Sequence, residues 1–211
     1  MIKLFYMEVS QAQEELVKKV YGTRAMSVLA GELAARVATA ELGLDGQLTL
    51  SHKESGEPYF EHAQNLKVSI SHSGNLICVA LSDAAVGIDV ELLKDYRENV
   101  LDRAYNAFEK KYVCACENRE DKNRAFFEIW TKKEALAKSM GEGLSRALMV
   151  SVCDQYGPIY SYISGEKKLF LKTYDIIPGC IISVSSESQI FPKTINMVPE
   201  SVCGFLAQAV V

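Results

Sequence analysis

The pattern of apolar residues predicts an opening strand near Ile2–Glu8 and then changes period. From Glu14 to Leu42 they recur at helical spacing, with Leu16, Val20, Leu29, Leu33 and Val37 on the pattern, and Gly22 and Gly43 stand where helices would stop. A turn-rich stretch, SHKESGEPYF, follows. Three short segments rich in β-branched residues come next, KVSIS (67–71), LICVALS (76–82) and AVGIDVE (85–91), and predict consecutive antiparallel strands. Helical spacing returns from Val100 to Met140, interrupted by the charged ENREDKNR at 117–124 and ended by Gly141 and Gly143. LMVSVCD, PIYSYIS, KLFLKTYDI and CIISVSS then predict further strands joined by Gly and Pro turns.

The order is helix then strands, twice. GELAARVATAELGL (31–44) aligns with KKEALAKSMGEGL (132–144), placing Glu32 on Glu134 and Arg36 on Lys138 ahead of a glycine stop. Shared glycine stops account for part of that likeness by themselves. As a repeat it predicts an α+β fold of two similar α/β halves, with antiparallel sheets and long helices. The expected division is residues 1–86 and 87–211, with the join near 84–88.

Composition narrows the function classes. The 211 residues suffice for one ordinary domain or two small packed ones, and 48% hydrophobic with 24% charged residues is a globular balance. A net charge of −4 argues against a general affinity for nucleic acid or an anionic membrane, so an anionic ligand needs a local site. The six cysteines, Cys78, Cys114, Cys116, Cys153, Cys180 and Cys203, show no C-x-x-C spacing, which points to free thiols rather than zinc or a redox pair. The N-terminus turns polar after seven residues and no window approaches the roughly 20 apolar residues of a membrane span, so the expected location is cytoplasmic.

Three constellations carry candidate chemistry. Asp89 and Glu91 alternate with Ile88 and Val90, so in a strand the two acids share one face, roughly 7 Å apart at Cα. Solvated acids on a strand reaching the surface satisfy that pattern, and so does a site for a hard cation such as Mg²⁺. Trp130, Glu134 and Lys138 fall on one helix face with Phe127 a turn earlier. Glu before Lys by four is a common surface ion pair, yet the aromatic company is that of a buried stripe. In SISHSGNL, Ser71, His72 and the turn amides could receive a phosphate, or His72 could be a turn residue bonded to a carbonyl.

In order and spacing, SISHSG, VGIDVE and FFEIWTKKEALAKSMGEGL closely resemble the signature set of the 4′-phosphopantetheinyl transferases, specifically the pseudo-dimeric, monomeric type that activates surfactin synthetase and other peptide and polyketide synthases. The match spans about 75 residues, Ser69 to Leu144. The resemblance implies transfer of the phosphopantetheine arm of coenzyme A to a serine of an acyl or peptidyl carrier protein, releasing adenosine 3′,5′-bisphosphate. It further implies Mg²⁺ held by Asp89, Glu134 and, directly or through water, Glu91. Glu134 would take the serine proton, and Lys138 would neutralise or protonate the leaving phosphate. Lys133 would add charge beside Lys138, and Ser71 and His72 would bind coenzyme phosphates. The N-terminal half would contact the nucleotide, with the active site between the halves and no second copy needed.

The N-terminal half departs from the family pattern. Relatives carry a basic residue in G-K-P where this chain has Gly56-Glu57-Pro58, and an Arg where it has Ser27; Arg24, Lys18 and Lys19 are the available substitutes. An acidic carrier calls for a local basic or apolar docking surface, for which Arg103 to Arg124, with Lys110, Lys111, Arg119 and Lys122, is the candidate; with Glu109, Glu117, Glu120 and Asp121 among them, the same stretch reads equally as a solvated mixed-charge face. The alternative function is a non-catalytic relative that binds coenzyme A or a carrier domain.

Overall fold

The computed structural model describes residues 1–199 and 202; Cys203 and the other C-terminal positions of the expected second half lie outside the described residues. The chain begins with β1 (Lys3–Glu8), α1 (Gln11–Tyr21) and α2 (Ala25–Leu42), then β2 (Leu50–His52), β3 (Pro58–Phe60), β4 (Lys67–Ser73) and β5 (Leu76–Ser82). It continues with β6 (Val86–Leu92), α3 (Glu98–Ala104), α4 (Ala107–Cys114), α5 (Arg119–Ser139) and α6 (Leu144–Met149). Six strands close it: β7 (Cys153–Asp154), β8 (Gly157–Pro158), β9 (Ser161–Ser164), β10 (Lys167–Tyr174), β11 (Cys180–Ser186) and β12 (Asn196–Met197). Among the described residues no helix is long and apolar enough to cross a membrane.

Local signals explain the helices. Ser10 caps α1 through a reciprocal box in which its hydroxyl accepts from the Gln13 amide and the Gln13 side chain accepts from the Ser10 amide. Gly22 ends α1, so the 14–42 stretch is two helices rather than one. α2 stops where Gly43 takes a left-handed conformation, φ 61°. The charged stretch 117–124 is not a break inside a helix. Asn118 caps α5 by accepting from the Asp121 amide at 2.9 Å, and Glu120 and Asp121 lie in the first turn, where acids complement the helix dipole.

Among the described residues the strands form a six-stranded sheet in the order β12-β1-β5-β4-β3-β2, a four-stranded sheet in the order β6-β11-β10-β9 and a two-stranded pair, β7-β8. All pairings are antiparallel except β12 with β1, which is parallel. The chain near 196–198 thus returns to the sheet built by the N-terminal strands. One core lies between α2 and the larger sheet, around Leu33, Phe60 and Val79. Another lies under α5, around Phe126, Ile129 and Leu136. A third joins the two sheets face to face, Leu4, Cys78 and Ala80 against Ile88, Ile182 and Val184.

Helix α5 approaches its sheet unusually closely. Gly87 offers no side chain, and the facing surface of β11 supplies Ser183 and Ser185, both fully buried and bonded to Thr131 and Ser139 of α5 at 2.8 Å. A side chain at Gly87 would run into the α5 backbone at Ala135 and Ser139. Small residues on the strand therefore set how near the helix, and all it carries, comes to β6.

Candidate active site

Asp89 sits on β6 and is buried. Its Oδ1 accepts from the Ser71 hydroxyl at 2.7 Å and from the Lys138 ammonium at 2.8 Å, while its Oδ2 is buried without a hydrogen-bond partner. Lys138, in the last turn of α5, also donates to the carbonyls of Ile88 at 3.0 Å and Ile70 at 3.4 Å, so its ammonium ties β4, β6 and α5 together. Glu91, two residues along β6, accepts from the Ser73 hydroxyl at 2.8 Å, with Lys94 at 3.9 Å. Glu134 is half-buried on α5, four residues before Lys138. Lys138 pairs with Asp89 on the strand facing its helix, unlike Arg36 of α2, which bonds Glu32 of its own helix at 2.6 Å.

Electrostatics follow from that crowding. Burial, and then the neighbouring Asp89, push the Glu134 carboxyl up to about 7 despite the opposing pull of Lys138. Burial also raises Glu91, against its hydrogen bond from Ser73. His72, bonded to the Ser27 hydroxyl at 3.2 Å, is lowered by burial and then by Lys138, so its ring is neutral near pH 7.

Glu134 and Lys138 line one wall of a cleft of about 620 Å³ whose other walls come from α2 at Ser27 and Gly31, the β2–β3 turn and β4 at Ile70 and His72. A second lobe of about 580 Å³, shared at Ser27 and Gly31, runs on to Arg24, Glu32 and Gln47. The two lobes suit an extended ligand better than a compact one.

A family model described as the 4′-phosphopantetheinyl transferase superfamily matches residues 85–174. A 4′-phosphopantetheinyl transferase of Bacillus subtilis is 28% identical over 173 residues, covering 79% of this chain and 77% of the relative. The 4′-phosphopantetheinyl transferase Sfp of Bacillus subtilis is 25% identical over 192 residues, covering 83% and 81%. The 4′-phosphopantetheinyl transferase AcpT of Salmonella typhimurium is 30% identical over 165 residues, covering 72% of this chain and 83% of the relative. The chain belongs to the 4′-phosphopantetheinyl transferase superfamily.

For a transferase of this superfamily the donor set fits a hard divalent cation. An orphaned buried carboxylate oxygen is uncommon, and Asp89 Oδ2 is one, with the carboxyls of Glu91 and Glu134 as neighbours in charge. As they stand, no three acidic, imidazole or thiol groups among the described residues converge into a metal centre. The reasons are visible: Lys138 occupies one side of Asp89, and Ser73 draws Glu91 to itself.

Two expected contacts take other forms. Lys133 is 2% exposed, and its ammonium is bound by both oxygens of the fully buried Glu109 and by the Val150 carbonyl, so it offers no charge to a ligand. Ser71 and His72 follow one another on β4 and so point to opposite faces; His72 reaches the cleft, while the Ser71 hydroxyl is committed to Asp89 and to the Val90 amide. In the N-terminal half, Glu57 lies in the cleft paired with Lys53 at 2.8 Å, Ser27 holds His72, and Arg24 lines the second lobe. Lys18 is paired with Glu14 at 2.6 Å.

Sequence reasoning overlooked the role of Glu109, whose local signal, the Asn106-x-x-Glu109 capping box of α4, announces a helix start but not a partner for Lys133. It also overlooked the alternation Ser69, Ser71, Ser73, a period of two that marks one face of β4 and was there to be read.

Proposed function

We propose that this chain transfers the 4′-phosphopantetheine arm of coenzyme A to a serine of an acyl or peptidyl carrier protein, with Mg²⁺, and releases adenosine 3′,5′-bisphosphate. The observation that carries the reading is the meeting of Glu134 and Lys138 from α5 with Asp89 from β6 beside the cleft, in a chain of this superfamily. The reaction forms a bond from the carrier serine oxygen to the pantetheine-bearing phosphorus and breaks the bridging bond of the diphosphate, so it needs orientation, a proton acceptor and charge on the leaving oxygen.

Asp89 through its free Oδ2, with Glu134 and Glu91, would hold Mg²⁺. Bound there, the ion would neutralise charge on the diphosphate. Glu134, beside the cleft on α5, would take the serine proton, directly or through a bound water. Lys138 offers its ammonium to the departing phosphate oxygen, and neutral His72 an N–H to a coenzyme phosphate. One chain carries all these residues, which supports a monomer.

The test is mass spectrometry of apo carrier proteins incubated with coenzyme A and Mg²⁺. Expected is the mass gain of the phosphopantetheine arm, abolished in Asp89→Ala and Glu134→Ala while both remain folded. Turnover retained in either variant removes that residue from the metal site. Coenzyme A binding by calorimetry with no transfer to any of a panel of carriers would instead make the chain the binding relative.

A further inference from the structure

β6 is the outer strand of the smaller sheet, yet its outward amides are not left to water. The amides of Ile88, Val90 and Leu92 donate to the hydroxyls of Ser69, Ser71 and Ser73 on β4, at 3.0, 3.3 and 3.2 Å. The rungs repeat every second residue on both strands, so side-chain oxygens take the place of a carbonyl ladder where the two sheets meet. Each serine has one proton left to give. Ser71 gives it to Asp89 Oδ1 at 2.7 Å and Ser73 to Glu91 Oε2 at 2.8 Å, whereas Ser69 bonds no acid.

We propose that Ser71 and Ser73 are positioning residues whose hydroxyls couple the register of this seam to the aim of the two acids. The amide fixes the serine oxygen, the fixed oxygen directs its proton, and the proton selects which carboxylate oxygen is occupied. With Oδ1 held by Ser71 and Lys138, Oδ2 is the oxygen Asp89 keeps for a ligand. A slip of one residue between the strands would turn every hydroxyl from its acid. Ser71 thereby acts on the reaction through Asp89 rather than by touching a coenzyme phosphate. This inference rests on the metal site proposed above.

The experiment titrates Mn²⁺ into the coenzyme-free protein, reading free ion by electron paramagnetic resonance, for the parent and for Ser69→Ala, Ser71→Ala and Ser73→Ala, with melting curves alongside. All three variants lose one amide rung and should melt earlier, Ser71→Ala and Ser73→Ala the more because each also loses its bond to a carboxylate. Ser71→Ala should weaken Mn²⁺ binding about tenfold or more, the usual range for losing a hydrogen-bond donor to a metal ligand, and Ser73→Ala should also weaken it. Ser69→Ala should bind as the parent does, a contrast that a purely structural seam would not produce. If Ser71→Ala does not fold, Ser73→Ala against Ser69→Ala decides. Parental affinity in both acid-facing variants, or an equal loss in Ser69→Ala, overturns the proposal while Mn²⁺ binding and transfer by the parent leave the proposed function standing. A parent that neither binds Mn²⁺ nor modifies a carrier overturns both.

Discussion

Replacing Gly87 by Ala should be among the most damaging one-atom changes in the molecule. The added Cβ would lie 2.6 Å from the Ser139 amide nitrogen and 2.9 Å from the Ala135 carbonyl carbon, closer still to the Ala135 oxygen, whereas ordinary contact begins near 3.4 Å. Relieving the Ser139 contact alone requires a shift of about 0.8 Å. The atoms met are helix backbone, so no rotamer change absorbs the clash, and Ala135→Gly should not rescue it. Overpacking of this kind costs about 1–3 kcal/mol, and backbone on both sides places Gly87→Ala at or above about 3 kcal/mol. A helix moved by about 1 Å carries Glu134 and Lys138 away from Asp89 and opens the 2.8 Å Lys138 contact. Misplacement on that scale can lower turnover about 100-fold. Guanidinium unfolding gives the stability term, and carrier modification by a folded sample well below its melting temperature gives the rate. Stability within about 0.5 kcal/mol of the parent, together with full transfer, would refute the idea that helix-to-strand proximity at Gly87 sets the site.

Three further outcomes follow from particular contacts. Lys133→Met strands the fully buried Glu109 without its counter-charge and should cost about 3–5 kcal/mol in denaturant unfolding, while Lys133→Met with Glu109→Met recovers much of it. Arg119→Ala, which removes pairs to Asp95 and Glu98 from a side chain 46% exposed, should cost under about 1 kcal/mol in the same assay. Glu134→Gln should flatten the pH dependence of stability in the metal-free protein. A carboxyl raised from 4.5 to about 7 adds stability that is fully present below 4.5 and lost as pH rises through 7. The full shift corresponds to about 3.4 kcal/mol, and partial solvent exposure brings the expected gain of the variant at pH 8 to about 1–2 kcal/mol, vanishing at pH 4.

The parts of the fold that could be read in the sequence are those with an unbroken local period. β4, β5, β6 and the helices around Leu33 and Ile129 fall where apolar spacing puts them. The acid pair of β6 shares a strand face as alternation requires, although Asp89 is buried instead of solvated. Nothing local announces β12, two residues long and paired in parallel with the first strand, because its partner is nearly the whole chain away. Lys133 shows the limit of motif reasoning. Adjacent to Glu134 in sequence, it lies 100° around the helix and finds Glu109, so neighbours in a motif served different sides of α5. Ser71 and His72 separated for the same kind of reason, with the strand's period of two replacing the helix's 3.6.

On the proposed function, the charge balance of the site would favour an anion delivered with a cation over an anion alone. Three carboxyls, Asp89, Glu91 and Glu134, face one ammonium in direct contact, Lys138, and a second at 3.9 Å, Lys94. Burial first, and then the crowding of like charge, holds the Glu134 carboxyl up to about 7 and raises Glu91 as well. A diphosphate entering without a counter-ion would add negative charge to a cluster already short of positive charge. Entering with a divalent cation, it would bring positive charge in place of the proton on Glu134, and the free oxygen of Asp89 would be available to that cation. The Lys138 ammonium would then be left for phosphate instead of carboxylate. The seam serines matter in that exchange because they keep both acids in place while their cationic partner changes.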